Sequence, residues 1–141
     1  MPKPMNNNYK EITWEEIDIL VKKRLSEIDK LGCKEVYGLP RGGLVPALII
    51  SHQLGYRFIT QDPISSGNIN NCLIVDDIVD SGETMERFSS AGFKTFSIFY
   101  KKSAKIQPNC FGQIAEENIW LIFPWEEINA LRIPDYKIIA K

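Results

Sequence analysis

The chain has 141 residues, of which 44% are hydrophobic and 25% charged, a composition that fits one soluble domain around a single core. Seventeen basic against eighteen acidic side chains leave a formal charge of −1, so bulk electrostatics favours neither a nucleic-acid nor an acidic-membrane partner. No apolar run reaches the roughly 18 residues of a membrane span, Met1 to Asn8 lacks the apolar core of a secretory signal, and Cys33, Cys72 and Cys110 stand too far apart for a metal-ligand motif. The expectation is one cytoplasmic domain over residues 1–141 with reduced, half-buried thiols and a flexible N-terminus over residues 1–10.

Thr13-Trp14-Glu15-Glu16 reads as a capping box. Trp14, Ile17, Leu20, Val21, Leu25 and Ile28 then fall on one helical face, and Gly32 closes the helix. Val36–Leu39 reads as a strand ending at Pro40-Arg41-Gly42-Gly43, followed by a helix, Leu44 to Leu54, apolar almost all round and stopped by Gly55. His52, near its end, reads as a packing or helix-terminal charge. Tyr56–Thr60 is a further strand, and Gln61–Asn71, with Pro63, Gly67 and three Asn, is a loop.

Cys72–Val75 is a continuous apolar run suited to a parallel strand buried on both faces. It is expected to stop at Asp76-Asp77-Ile78-Val79-Asp80-Ser81-Gly82-Glu83-Thr84. Glu83–Ala91 reads as a helix ended by Gly92, and Lys94–Tyr100, Phe111–Ala115 and Ile119–Phe123 as strands. Alternating strands and helices predict an α/β fold, a single domain with a mainly parallel Rossmann-like sheet flanked by helices and a small C-terminal hood.

In such a sheet, ligands bind at the carboxyl ends of the strands. The loops 40–43 and 76–84 both follow strands, so they should meet there. Asp80 to Thr84, between a strand and a helix, offers N–H groups, hydroxyls and a helix N-terminus to a phosphate. Asp76 and Asp77 would repel that phosphate and suit sugar hydroxyls or Mg²⁺ instead. The pattern describes a phosphorylated-sugar site. Asp-Asp-x-x-Asp strings also occur on diphosphate-binding helices, but here the string follows a buried strand in a short chain.

Leu73 through Thr84 resembles the phosphoribosyl-pyrophosphate (PRPP) signature of the type I phosphoribosyltransferases, and Pro40-Arg41-Gly42-Gly43 resembles that family's pyrophosphate loop. Thr13-Trp14, Arg41 through Pro46 and Trp120 through Trp125 resemble the short bacterial xanthine-guanine branch, and the likeness spans most of residues 13–126. The resemblance implies transfer of a phosphoribosyl group from PRPP to a nucleobase, a 6-oxopurine above all, with Mg²⁺ as cofactor and a homo-oligomeric assembly. It implies that Arg41, Gly42 and Gly43 contact the leaving pyrophosphate, with a non-proline cis peptide at Pro40–Arg41. Asp76 and Asp77 then hold the ribose hydroxyls, Asp80 assists deprotonation of the base, and Ser81, Gly82, Glu83 and Thr84 cradle the 5′-phosphate, Glu83 through its backbone. Lys101 reads the 6-oxo group, a role that Lys102 or Lys105 could hold instead. Trp120 stacks on the purine or belongs to the core, and Leu121 offers backbone groups to the base. Asp77 and Glu126 are the metal candidates, with Mg²⁺ held mainly through PRPP.

Trp125 reads as structural, and the tail beyond it, with Ile128, Leu131, Ile133, Ile138 and Ile139, as core or interface. The family's mobile lid is longer than Gln61–Asn71, where Ser65-Ser66 is the one segment similar to it. That short loop raises two alternatives: a non-catalytic PRPP or nucleotide sensor, and a transferase with a non-purine acceptor.

Overall fold

The structure is a computed structural model that describes residues 8–66 and 69–126. Its centre is a five-stranded, all-parallel sheet in the order β3-β2-β4-β5-β6, formed by β2 (Glu35–Gly38), β3 (Arg57–Ile59), β4 (Cys72–Val79), β5 (Lys94–Tyr100) and β6 (Cys110–Ile114). Alternate strand residues face opposite layers. Val36, Leu73, Val75, Phe96 and Ile98 join one core cluster with Ile17, Val21, Ile28, Ala47 and Ile50. These come from α1 (Trp14–Lys22), α2 (Leu25–Lys30) and α3 (Leu44–Leu54). Tyr37, Ile74 and Val79 join the other cluster with Met85 and Phe88 of α4 (Glu83–Ser90). Burial on both faces explains why the central strands are apolar without alternation.

A second sheet stands apart: β1 (Tyr9–Glu11) pairs in parallel with β7 (Trp120–Ile122). The hood is therefore built from both ends of the described chain. Tyr9 and Lys10, expected in a flexible N-terminus, belong to a strand.

Two other expectations change. The first helix is not continuous to Leu31, because α1 ends at Lys22 and α2 begins at Leu25. Arg24 sits at the break, where its Nε donates to the Phe111 carbonyl at 2.9 Å and its guanidinium pairs with Glu27 at 2.8 Å. That anchor to β6 turns the chain, while the capping box at Thr13 and Glu16 forms as expected.

Strand β4 also runs four residues further than its apolar run. Pairing with β2 stops at Gly38↔Val75, but β5 is seven residues long and carries the ladder on through Asp76↔Ser97, Ile78↔Phe99 and Val79↔Tyr100. Asp76 and Asp77 thus lie within a strand, on the stretch that β2 leaves unpaired.

Gly32, Gly55 and Gly92 take the positive φ that ends a helix, as expected. The three cysteines are free and fully buried rather than half-buried, and burial pushes the Cys72 thiol up to about 12 and that of Cys110 to about 11. His52 is exposed near the end of α3. No helix among the described residues is long and apolar enough to cross a membrane. The apolar residues 128–139 lie outside the described residues.

Candidate active site

The strand order places β3 on one side of β2 and β4, β5 and β6 on the other, so the winding direction reverses between β2 and β4. A reversal of this kind opens a crevice at the carboxyl ends of the two strands. Loop 40–43 leaves β2 there, and residues 80–84 leave β4 beside it.

The two segments meet. Leu39 N donates to the Val75 carbonyl and Gly43 N to the Leu39 carbonyl, both at 2.8 Å, folding the loop back against β4. A Cβ on Gly42 would fall on the Asp77 carboxylate, so only glycine permits the loop to lie this close. The peptide bond from Pro40 to Arg41 is cis, as the family resemblance implied, and the Arg41 side chain is exposed at the loop's tip.

The carboxylates behind this loop are wired into the strand. Asp76 Oδ1 accepts from the Asp77 amide at 2.8 Å, and Asp77 Oδ1 from the Ile78 amide at 2.7 Å. Burial, with the nearby Glu126 carboxylate adding to it, raises the Asp77 carboxyl to about 6 against the lowering effect of its hydrogen bonds. Glu126 is itself held by a short turn, with its Oε1 accepting from the Phe123 amide at 2.7 Å. Two carboxylates approaching in this way suit a hard divalent cation. Among the described residues no three His, Cys, Asp or Glu side chains form a metal cluster, so a cation here needs further oxygens from a ligand.

Residues 80–84 form a turn into α4. Gly82 takes φ +86° and caps the helix, with Ser81, Glu83 and Thr84 exposed around it. The Ser81 hydroxyl accepts from the Glu83 amide at 3.3 Å, which pre-shapes the turn. Two acids in the first turn of α4, Glu83 and Glu86, surround what is otherwise an anion-binding terminus.

On the far side of the crevice, the loop after β5 supplies Lys101, whose ammonium pairs with Asp80 at 3.2 Å. Its side chain is only 13% exposed. Of the three lysines considered from sequence, Lys101 is the one that faces Asp80, whereas Lys105 pairs with Glu86 on α4 at 3.6 Å. Lys102 is exposed.

Trp120 is half-buried and belongs to neither core cluster of the described residues, while Leu121 and Trp125 pack against the core. Trp125 stacks on Phe123, with centroids 5.0 Å apart, and meets Trp14 at 5.8 Å, a structural role as expected. Trp120 N donates to Asn8 O and Ile12 N to Ile122 O, so residues 120 and 122 direct their backbone groups to β1. The intervening Leu121 directs its N–H and C=O the other way, from the edge of β7 that no strand among the described residues pairs with.

Two contacts had no signal in the sequence, because each joins segments remote along the chain. Ser103 N and Oγ both donate to Glu117, tying the Lys101 loop to the segment leading into Trp120. Asp62 pairs with Arg87 at 2.8 Å, fastening the chain just before the 3-10 turn to α4. Ser65, on a 3-10 turn over Pro63–Ser66, is exposed.

No family model matches the chain. A xanthine-guanine phosphoribosyltransferase from Cereibacter sphaeroides is 30% identical over 117 residues, covering 66% of this chain and 69% of that one. The chain belongs to the xanthine-guanine phosphoribosyltransferase family. A second relative of the same name, from Desulfotalea psychrophila, is 27% identical over 155 residues and covers 92% of this chain and 96% of its own. The fold agrees: a purine phosphoribosyltransferase from Pyrococcus horikoshii superposes with a TM-score of 0.72 at 24% identity, over 89% of this chain and 99% of that chain. The xanthine-guanine-hypoxanthine phosphoribosyltransferase of Helicobacter pylori superposes at 0.70 and 19% identity, over 85% of this chain and 93% of its own. This member of the family is an enzyme of the phosphoribosyltransferase class.

Proposed function

We propose that the protein transfers the 5-phosphoribosyl group of PRPP to a 6-oxopurine, giving a nucleoside monophosphate and pyrophosphate. The observation that carries this reading is the meeting, in one crevice, of the Arg41–Gly43 loop with Asp77, and of Asp80 with Lys101. The first pair suits a diphosphate and a ribose, the second a base with an acidic N–H beside an oxo group. The relatives' names favour turnover over a sensor that only binds PRPP, and a purine over other acceptors.

In this reading Arg41 and the amides of Gly42 and Gly43 hold the diphosphate, where a guanidinium offers a permanent charge and a fork of donors. Asp76 and Asp77 accept from the ribose hydroxyls. Ser81, Gly82, Glu83 and Thr84 take the 5′-phosphate, Glu83 through its backbone. Asp77 and Glu126 are the carboxylates that would hold Mg²⁺, and the ion would supply positive charge to the diphosphate leaving group. The bond from C1′ to the diphosphate oxygen breaks, and a bond from C1′ to a purine nitrogen forms on the opposite face. Asp80 takes the proton from the base, Lys101 donates to the 6-oxo group, Trp120 stacks on the ring, and Leu121 meets the purine edge through its backbone. The protein's share is positioning and charge stabilisation. A homo-oligomer and a cytoplasmic setting fit this salvage role.

The test is nucleoside monophosphate formation from PRPP and Mg²⁺ with guanine, xanthine, hypoxanthine, adenine and uracil in parallel. Turnover confined to the three oxopurines is the expected result. Turnover with adenine or uracil alone overturns the base assignment, and PRPP binding without turnover on any base restores the sensor.

A further inference from the structure

The phosphate-binding turn is unusually acidic for its task. Asp80, Glu83 and Glu86 all lie within a turn of α4's N-terminus, and a 5′-phosphate carrying close to two negative charges has to approach them. Lys101 already balances Asp80. The charge that balances Glu86 comes from Lys105, on the loop after β5.

Lys105 is built against this turn at three points. Its amide donates to the Ser81 carbonyl at 2.9 Å. A Cβ on Gly82 would stand 3.1 Å from Lys105 N and 3.2 Å from its Cγ, so the aliphatic stem lies along the turn itself. Its ammonium then reaches Glu86 at 3.6 Å, longer than the 2.8 Å of the Asp62–Arg87 pair. Both side chains of the Lys105–Glu86 pair are close to half exposed, the setting in which an ion pair is weak and its partner readily exchanged. A phosphate has more charge and more acceptor oxygens than the carboxylate it would displace.

We propose that Lys105 is a further ligand of the phosphorylated ribose, its ammonium exchanging Glu86 for the 5′-phosphate. This rests on the reading of residues 80–84 as the phosphate cradle. Lys105 thereby adds mobile charge to a site whose other donors are backbone amides and hydroxyls. It also places two lysines of one loop at the two ends of the nucleotide, Lys101 at the base and Lys105 at the phosphate.

The test uses the full chain and calorimetric titration with ribose 5-phosphate and, separately, with inorganic pyrophosphate. Lys105→Gln keeps the stem on Gly82 and removes the charge. It is expected to weaken ribose 5-phosphate about tenfold, the scale of one charge-assisted hydrogen bond, and to leave pyrophosphate unchanged. Lys105→Arg is expected to restore most of the loss. Glu86→Gln frees the ammonium and is expected to tighten ribose 5-phosphate about two- to threefold, because the ion pair it removes is a weak competitor. A purely structural pair predicts the reverse sign for Glu86→Gln, so weakening by that variant overturns the proposal. Thr84→Val separates the two levels of the argument. Weakening by Thr84→Val but not by Lys105→Gln overturns the role of Lys105 and leaves the cradle standing, and weakening by neither overturns both.

Discussion

Loop 40–43 and residues 80–84 leave neighbouring strands at the centre of a five-stranded sheet, whereas Trp120 and Leu121 stand on a two-stranded sheet with three residues per strand. On the first side the candidate groups sit on strand ends and on the turn into α4, held by ladder hydrogen bonds and by contacts as close as Gly42 on Asp77. On the second, Lys101, Trp120 and Leu121 are carried on segments linked by the Ser103–Glu117 contact. In the proposed reading, the phosphoribosyl half of the site is thus the more firmly built half. In that reading the base half is the lightly built one, which is where changes of acceptor would cost a fold least.

Substitutions can break this contrast. The largest effect belongs to the residue between the two halves: Asp80→Asn is expected to keep PRPP affinity and lower kcat roughly 10²- to 10⁴-fold, the usual range for a positioned proton acceptor. Unchanged turnover in steady-state assays removes Asp80 from that role. Gly42→Ala drives a methyl group into the Asp77 carboxylate, and overpacking of that kind costs about 1–3 kcal/mol. Because the strain falls on the loop, PRPP binding is expected to weaken by about 10- to 100-fold, with base affinity little changed. On the lighter side, Trp120→Ala should raise the KM for the purine roughly tenfold, on the scale of one lost base–aromatic stack, with PRPP binding intact. A matching loss of PRPP affinity would show the halves to be one unit.

The smallest expected effect is one of pH and stability, and its two signs oppose each other. Burial and the Glu126 carboxylate raise the Asp77 carboxyl to about 6 in the folded protein, above its unfolded value. The folded state therefore holds more protons than the unfolded one, and Asp77's contribution is most favourable below the unfolded value and is lost as pH rises through about 6. Binding of ribose hydroxyls or Mg²⁺ needs the charged form, so PRPP affinity should rise over the same interval. Asp77→Asn is expected to raise Tm at neutral pH by a few degrees while weakening PRPP. Thermal unfolding and calorimetry from about pH 5 to about pH 8 check both signs; a fall in Tm at neutral pH denies that Asp77's charge strains the fold.

What could be read in advance follows the same division. The turn into α4 at residues 80–84 was legible because its information is local: an apolar strand, acids, then Ser-Gly-x-Thr opening a helix. Loop 40–43 was legible for the same reason, and the parallel sheet followed from the alternation of elements. The length of β4 was not, since Asp76 to Val79 are held in a strand by the reach of β5 and not by their own propensity. The break at Arg24 was not, because its cause is a carbonyl 87 residues away. Tyr9–Glu11 is polar and three residues long, and only its pairing with Trp120–Ile122, near the other end of the described chain, makes it a strand. Lys105 stood in plain view as one of three lysines, but its place against Gly82 required the fold of the loop.

Among the described residues, one edge of β7 pairs with no strand. A strand edge with free N–H and C=O groups is a template that can recruit another chain, and proteins keep such edges short or covered. Among the described residues the open edge is one residue long, Leu121 between two residues committed to β1. A base that carries a donor beside an acceptor on one side presents to Leu121 the same alternation that a neighbouring peptide would. Under the proposed base assignment, the purine would enter the hood as the smallest possible third strand.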